Sequence, residues 1–154
     1  MKNKILLLLT LFCVIPSNFA QMKTHTFQEV EQLSKENRKP IVVFIHTSWC
    51  NYCKLMENTT FKNKAVIDQL NTNFYFISFD AETKETITYN NHTFYFKPNG
   101  TNTGIHELAT ALATIDNQVV YPTLTILGTD DSIIFQQHSV ITAKAMLTML
   151  QKVK

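Results

Sequence analysis

The chain has 154 residues and an ordinary hydrophobic fraction of 45%, which suits one globular domain. Its 14 basic and 12 acidic residues give a formal net charge of +2, and no run of Lys or Arg could follow a phosphate backbone. The charge balance therefore argues against a nucleic-acid-binding protein.

The first 20 residues have the pattern of a secretory signal peptide. The positive stretch Met1–Lys4 precedes the apolar segment Ile5–Pro16, which is too short for a comfortable membrane span. We therefore expect cleavage after Ala20 and export to the periplasm or the medium. An uncleaved N-terminal anchor is the alternative. Cys13 also suggests a lipoprotein, but Phe12 precedes it where a small residue would be expected.

Residues 21–154 are predicted to form one domain that begins with a helix and a buried strand. Thr26 and Glu29 have capping-box spacing, which predicts a helix to about Asn37. Its apolar stripe would be Phe27, Val30 and Leu33. The continuous apolar run Ile41–Ile45 then predicts a strand buried on both faces, as in a parallel or mixed sheet.

Two helices and a second buried strand are predicted next. The first helix, Lys54–Thr60, would direct Leu55, Met56 and Phe61 inward. A second helical segment, Ala65–Leu70, is followed by the apolar strand Phe74–Phe79.

An added element is predicted between about Thr86 and Gly104. Two short alternating strands, Ile87–Tyr89 and Phe94–Phe96, flank residues 90–93, which is a hairpin signal. Residues 100–104 are predicted to be a loop.

The last part of the chain is predicted to complete an α/β domain. An amphipathic helix, Ile105–Ala113, carries Leu108 and Leu112. A strand at Leu124–Leu127 and an antiparallel strand at Ser132–Phe135 follow. The final helix, Thr142–Val153, would carry Ala145, Leu147 and Leu150. The order of elements predicts a central mixed sheet with helices on both faces.

Cys50 and Cys53 are the only cysteines left after removal of the signal peptide. A disulfide between them closes a very small ring, which adds little chain-entropy stabilisation, so we favour a reactive pair over a structural bridge. Cys50 stands where a strand ends and a helix begins, and helix N-terminal N–H groups favour the thiolate. We therefore expect Cys50 to be an exposed nucleophile and Cys53 a shielded resolving thiol.

The sequence resembles the thioredoxin superfamily over about residues 39–154. The resemblance rests on Trp49-Cys50-Asn51-Tyr52-Cys53 between a strand and a helix, and on Tyr121-Pro122-Thr123 before the penultimate strand. It implies a thioredoxin fold in which Pro122 is a cis-proline beside the active-site disulfide. It also implies that Tyr121 pairs through its backbone with an extended substrate, and Trp49 can offer that substrate an apolar surface.

Lys54 and Glu57 further resemble the branch that includes the C-terminal domain of DsbD and related exported proteins. Two features depart from thioredoxin itself. Phe44 stands six residues before Cys50, where thioredoxin keeps a buried Asp, and Glu57 could replace that acid as a proton acceptor for Cys53. Asn51-Tyr52 replaces the Gly-Pro dipeptide and supplies no positive charge, which favours a reductase over a strong oxidant.

The sequence allows more than one interpretation of several residues. His46 could tune the thiols or could simply end a strand with its hydrogen bonds satisfied. The aromatic residues of the hairpin could line a substrate groove, although packing onto the domain is the simpler explanation. Three other histidines are predicted to lie on the surface: His92, His106 and His138.

The sequence thus predicts an extracytoplasmic protein-disulfide oxidoreductase that reduces protein disulfides through Cys50 and Cys53. No cofactor is expected, and no metal site, because a zinc site would need about four ligands. Expected partners are protein disulfides or dithiols and a membrane-bound or soluble thiol electron donor, with a monomeric chain. The alternative is a copper(I)-binding or interaction module without turnover, since His46 and Met56 lie near the cysteines.

Overall fold

The computed structural model describes residues 21–153, so the predicted signal peptide and its cleavage site lie outside the described residues. The helices of this part are α1 (Phe27–Glu36), α2 (Asn51–Asn58), α3 (Lys64–Asn73), α4 (Glu107–Ala113) and α5 (Ala143–Lys152), and a 3-10 turn, Thr60–Lys62, follows α2. The strands are β1 (Ile41–His46), β2 (Tyr75–Asp80), β3 (Ile87–Tyr89), β4 (His92–Phe94), β5 (Phe96–Pro98), β6 (Gly104–His106), β7 (Thr114–Ile115), β8 (Gln118–Val119), β9 (Thr123–Leu127) and β10 (Ile133–His138). Within residues 21–153, no helix is long and apolar enough to cross a membrane.

Four strands form the central sheet, in the order β10–β9–β1–β2. β1 runs parallel to β2, whereas β9 is antiparallel to β1 and β10 is antiparallel to β9. Every residue of β1 from Ile41 to Ile45 is buried, because helices cover both faces of the sheet. The predicted mixed α/β architecture is confirmed.

Two hydrophobic cores lie on opposite faces of the sheet. Ile41, Val43 and Ile45 pack on one face with apolar residues of α1 and α4. Val42 and Phe44 pack on the other face with α2, α3 and α5, and this second core includes both cysteines. The alternation along β1 is the ordinary consequence of a strand's two-residue period.

Helix α1 begins at the predicted capping box. The Glu29 N–H donates to Thr26 Oγ1 at 3.1 Å, and the Thr26 N–H donates to Glu29 Oε2 at 2.7 Å. Phe27 and Val30 are buried as expected, but Leu33 is 37% exposed, so the predicted stripe is too long by one position. The helix ends at Glu36, and the N–H of its C-cap, Asn37, donates to the Leu33 carbonyl at 2.9 Å.

Helix α2 begins three residues earlier than the sequence predicted, at Asn51. Cys53 and Met56 are the buried positions of α2, because residues three apart share a helix face, and Met56 faces inward as predicted. Leu55 lies off that face and is 47% exposed, so its predicted inward direction was wrong. Phe61, in the following 3-10 turn, is buried as predicted.

The added element contains two hairpins where one was predicted. Strands β3 and β4 pair around Asn90-Asn91, both of which have positive φ, as a tight two-residue turn requires. Phe96 belongs to a second hairpin, β5–β6, which uses Gly104 from the predicted loop. Tyr89 is buried and Phe94 packs against the core, so these two aromatics cover the domain, whereas Tyr95 is 50% exposed.

Two other expectations are corrected. His106 is fully buried, although we expected it on the surface, because it caps α4 from inside the fold. Its Nδ1 accepts from the Leu108 N–H at 3.2 Å, and its Nε2 lies 3.0 Å from the Glu85 carbonyl oxygen. In α5 the buried positions are Met146 and Leu150, whereas the predicted Ala145 is exposed.

Candidate active site

Cys50 and Cys53 form a disulfide at the start of α2, just after the turn that connects β1 to this helix. The S–S distance is 2.01 Å and the Cα atoms are 5.2 Å apart. A turn joins the two elements, in which the Cys50 N–H donates to the Thr47 carbonyl at 3.2 Å. Cys50 is the N-cap of α2, and its Sγ accepts from the Cys53 N–H at 3.1 Å. The sulfur of Cys50 thus takes the position in which a helix terminus stabilises negative charge.

The two cysteines differ in exposure less than expected. Cys50 is 5% exposed and Cys53 is 1% exposed, so the disulfide form buries both. The expectation of a freely exposed Cys50 is therefore wrong for this state, although Cys50 keeps the larger accessible fraction. Burial of both sulfurs follows from their membership of the second core, where they contact apolar side chains.

An apolar rim, consisting of the exposed side chains of Trp49, Tyr52 and Leu55, lies next to the two cysteines in the sequence. Trp49 is 62% exposed, and on α2 Tyr52 is 66% and Leu55 47% exposed. The Trp49 indole N–H donates to the Glu82 carboxylate, with both oxygens 3.1 Å from Nε1. The Trp49 ring also meets the Tyr121 ring edge-on, with 6.0 Å between centroids. These contacts hold a large exposed aromatic next to Cys50.

The second predicted motif reaches the same end of the sheet. The Tyr121–Pro122 peptide bond is cis, and Pro122 is buried. Tyr121 packs against the core that contains both cysteines. Burial raises the pKa of the Tyr121 hydroxyl to about 12, with smaller contributions from Glu82 and Asp80. Among the described residues, that buried hydroxyl has no hydrogen-bond partner.

Phe44 occupies the place of thioredoxin's buried acid and is 1% exposed. Its ring lies 4.8 Å from the Phe61 ring and stacks on His46 with 5.2 Å between centroids. The position offers no group that can accept a proton. A side chain that accepts the proton of Cys53 would therefore have to come from another position.

Glu57 and His46 are both half-buried and lie close enough for the charge of Glu57 to act on the His46 ring. Glu57 is half-buried and follows Cys53 by one turn of α2, so the two side chains lie on neighbouring parts of one helix face. The His46 Nε2 lies 3.0 Å from Ser78 Oγ, which supports the interpretation of a satisfied histidine at a strand end. Burial lowers the pKa of His46, while the charges of Glu57 and Asp80 oppose that shift.

No group of three or more His, Cys, Asp or Glu side chains within residues 21–153 is arranged to hold a metal ion. Met56, which the copper alternative invoked, is fully buried in the core. His92 is exposed, and His138 is half-buried beside Thr123.

Sequence reasoning missed two parts of this region. Glu82 was not considered, although it follows β2, whose carboxyl end lies beside that of β1 in a parallel pair. That placement could have indicated it. The contact between His138 and Thr123 joins separate strands, and no local pattern marks it.

The fold and site define a thioredoxin-type domain with a disulfide-bonded Cys-x-x-Cys pair at a helix start. The family model described as a thioredoxin-like domain matches residues 27–154, and the chain belongs to that family. Family, fold and cysteine pair together support a thiol–disulfide oxidoreductase.

Solved structures share this fold at low sequence identity. The DsbH oxidoreductase is 17% identical, with 93% of this chain and 91% of that chain covered and a TM-score of 0.62. The reduced C-terminal domain of Neisseria meningitidis DsbD is 17% identical, with 82% and 92% covered and a TM-score of 0.53. A Thermus thermophilus thioredoxin is 18% identical, with 86% and 87% covered and a TM-score of 0.62.

A similar curated protein is the uncharacterized Caenorhabditis elegans protein B0495.5. It is 38% identical over 60 residues, which are 39% of this chain and 8% of that protein. The chain therefore matches only a small part of that much longer relative.

Proposed function

We propose that this protein is an extracytoplasmic thiol–disulfide oxidoreductase that reduces protein disulfides through Cys50 and Cys53. The observation that carries the proposal is the pair's position: Cys50 caps α2 and keeps the larger accessible fraction, while Cys53 lies deeper in the core. The apolar rim formed by Trp49, Tyr52 and Leu55 offers a surface for a substrate chain.

The reaction proceeds through a mixed disulfide. The Cys50 thiolate attacks one sulfur of the substrate disulfide, which forms the mixed disulfide and releases the first substrate thiolate. The Cys53 thiolate then attacks Cys50 Sγ, which forms the Cys50–Cys53 disulfide and releases the second substrate thiolate. Two electrons pass from the dithiol to the substrate, and the two released thiolates take up protons. A membrane-bound or soluble dithiol donor must reduce the protein again.

Three residues support these steps. Pro122 and the backbone of Tyr121, which packs against the core that contains both cysteines, receive an extended substrate segment. Glu57 accepts the proton of Cys53, because Phe44 cannot. The absence of a positive charge in Asn51-Tyr52 favours the reducing direction, since it leaves the thiolate form without an added counter-charge.

Trapping with single-cysteine variants tests the assigned roles. Reduced Cys53→Ser should accumulate mixed disulfides with disulfide-bonded substrates, because the nucleophile remains and resolution is lost. Cys50→Ser should trap none. Non-reducing gels and intact-mass analysis provide the measurement. Equal trapping by both variants would contradict the asymmetry of the pair.

Turnover separates an enzyme from a binding module. With a thiol reductant in excess, the wild-type protein should reduce insulin disulfides catalytically, and both single variants should be inactive. Equilibration with glutathione should give a reducing potential near that of thioredoxin, about −270 mV. Tight stoichiometric binding of copper(I) without turnover would instead support the copper alternative.

The extracytoplasmic location rests on the sequence pattern of residues 1–20. Intact-mass analysis of protein from the periplasm of an expressing bacterium should give a chain that starts at or near Gln21. Recovery of a membrane-bound chain that retains Met1 would contradict it.

A further inference from the structure

A chain of two short hydrogen bonds connects His138 to the loop that carries Tyr121 and Pro122. The Thr123 hydroxyl donates to the Val120 carbonyl at 2.6 Å, so it closes the segment that contains both residues. The His138 Nδ1 lies 2.8 Å from the same hydroxyl oxygen. Thr123 is fully buried, and His138 faces it as its register partner across β9 and β10.

The geometry determines the tautomer of His138. A threonine hydroxyl has one hydrogen, and a carbonyl oxygen can only accept, so the Thr123 hydrogen points to Val120. The Thr123 oxygen must therefore accept from His138, which places the ring proton on Nδ1. Nε2 is then an acceptor, and it is buried without a hydrogen-bond partner among the described residues. Burial lowers the pKa of His138, which favours this neutral form.

Hydrogen bonds fix the loop of residues 120–123 on both sides of Tyr121 and Pro122. The Val120 N–H donates to the Ala113 carbonyl at 3.2 Å, while its own carbonyl accepts from Thr123. Tyr121 lies between these anchors, with its ring against Trp49 beside Cys50. A change in the orientation of Thr123 would therefore move the segment that faces the disulfide.

We propose that His138, as the Nδ1–H tautomer, is a positioning residue that fixes the 120–123 loop for binding of a protein substrate. This inference rests on the proposed function and deepens it. His138 acts through Thr123 and Val120 and takes no part in sulfur chemistry. Its loss should weaken the binding of extended polypeptide disulfides more than it slows the reaction with a small aromatic disulfide, which needs no backbone pairing.

The test compares His138→Leu with His138→Asn. The Asn side-chain amide can place an N–H near the position of Nδ1, whereas Leu cannot. With a protein disulfide substrate, His138→Leu should raise KM about three- to tenfold, the effect of losing one positioning hydrogen bond. His138→Asn should recover most of that loss. Gln137→Leu, on the same strand, is the control and should behave as wild type.

The same pattern should follow from Thr123. Thr123→Val should raise KM as His138→Leu does, and Thr123→Ser, which keeps the hydroxyl, should stay close to wild type. Nitrogen-15 NMR of the wild-type imidazole should show Nδ1 protonated and Nε2 unprotonated at neutral pH, and this readout does not depend on any variant folding.

Three results would overturn the inference: an Nε2–H tautomer, an unchanged KM in folded His138→Leu, or equal losses with the protein and the small disulfide. In each case the wild-type protein would still turn over disulfides, so the proposed function would stand. A wild-type protein that reduces neither substrate would overturn both.

Discussion

Removal of the Glu57 charge tests whether Glu57 accepts the proton of Cys53 in place of a buried acid. Glu57→Gln keeps the size of the side chain and removes its ability to accept a proton. We expect slower resolution of the mixed disulfide by Cys53, while the first attack by Cys50 changes little, because Cys50 is activated by the start of α2. The two steps can be resolved by stopped-flow kinetics with a model disulfide across pH.

The structure sets the expected size of this effect. A well-placed general base contributes about a hundredfold or more to a rate. Glu57 is half-buried, lies one helical turn from Cys53 and makes no hydrogen bond among the described residues, so it is less fixed than such a base. We therefore expect a decrease of about tenfold in the rate at which Cys53 resolves the mixed disulfide. This value lies between no effect and the effect of a well-placed base.

A matched control and a second readout make the result decisive. Glu31→Gln removes the same charge from a half-buried carboxylate on α1, across the sheet, and should leave the resolving rate unchanged. Because the Glu57 carboxylate opposes the burial shift of His46, its loss should lower the His46 pKa further, as NMR titration can show. An unchanged resolving rate and pH profile in Glu57→Gln would refute its role as the proton acceptor.

Three further measurements test the surroundings of the site. Glu82→Gln should weaken the hold on Trp49, the chain's single tryptophan, and lower its fluorescence anisotropy, whereas Glu85→Gln should not. Met56→Ala should lower the free energy of unfolding in urea by about 3 kcal/mol because Met56 is fully buried among the core residues, and a similar loss from the 47% exposed control Leu55→Ala would contradict this. Burial lowers the pKa of His106 in the folded protein, so the unfolded chain binds a proton more readily. The contribution of His106 to the free energy of unfolding should therefore be constant above about pH 7. It should fall as the pH drops through about 6.5, the pKa of the unfolded chain, toward the lower pKa of the folded protein. A free energy of unfolding that stays level from pH 7 to 5 would contradict the last expectation.

Elements that a local sequence signal marks were predictable. The apolar run of β1, the capping box of α1 and the first hairpin all depend on local chemistry, and all are present. The hairpin turn is shorter than predicted: it is Asn90-Asn91, and the second strand is His92–Phe94, not Phe94–Phe96. The β7–β8 hairpin escaped prediction although Asp116 and Asn117 have positive φ, like Asn90 and Asn91. Its strands have two residues each, too few to show an alternating pattern.

Errors in the prediction arose where contacts come from distant parts of the chain. His106 has a polar side chain that suits the surface, but the Glu85 carbonyl, 21 positions earlier, meets its ring inside the fold. Leu55 was assigned to the core together with Met56, but neighbouring helix positions point in different directions, so only Met56 is buried. The sequence context did place Cys50 at a helix start, and the structure shows Cys50 as the N-cap of α2.

The site depends on the register of the central sheet. Ile45 of β1 pairs with Thr123 of β9, so the residues after β1 and those before β9 meet at one edge. That pairing brings Cys50 and Tyr121 together although about 70 positions separate them. On the other side, His46 pairs with Asp80, which carries Glu82 toward Trp49.

The reaction of the two cysteines was predictable from the sequence, whereas the residues that position the site were not. Cys50 and Cys53 are close in sequence, so the motif itself indicates their reaction. Their supporting residues converge only because the strands pair as they do, with His138 opposite Thr123. A slip of one residue between β9 and β10 would turn His138 to the other face of the sheet, because successive strand residues alternate. The loop would then lose its contact with His138 while every residue of the Cys-x-x-Cys motif stayed in place.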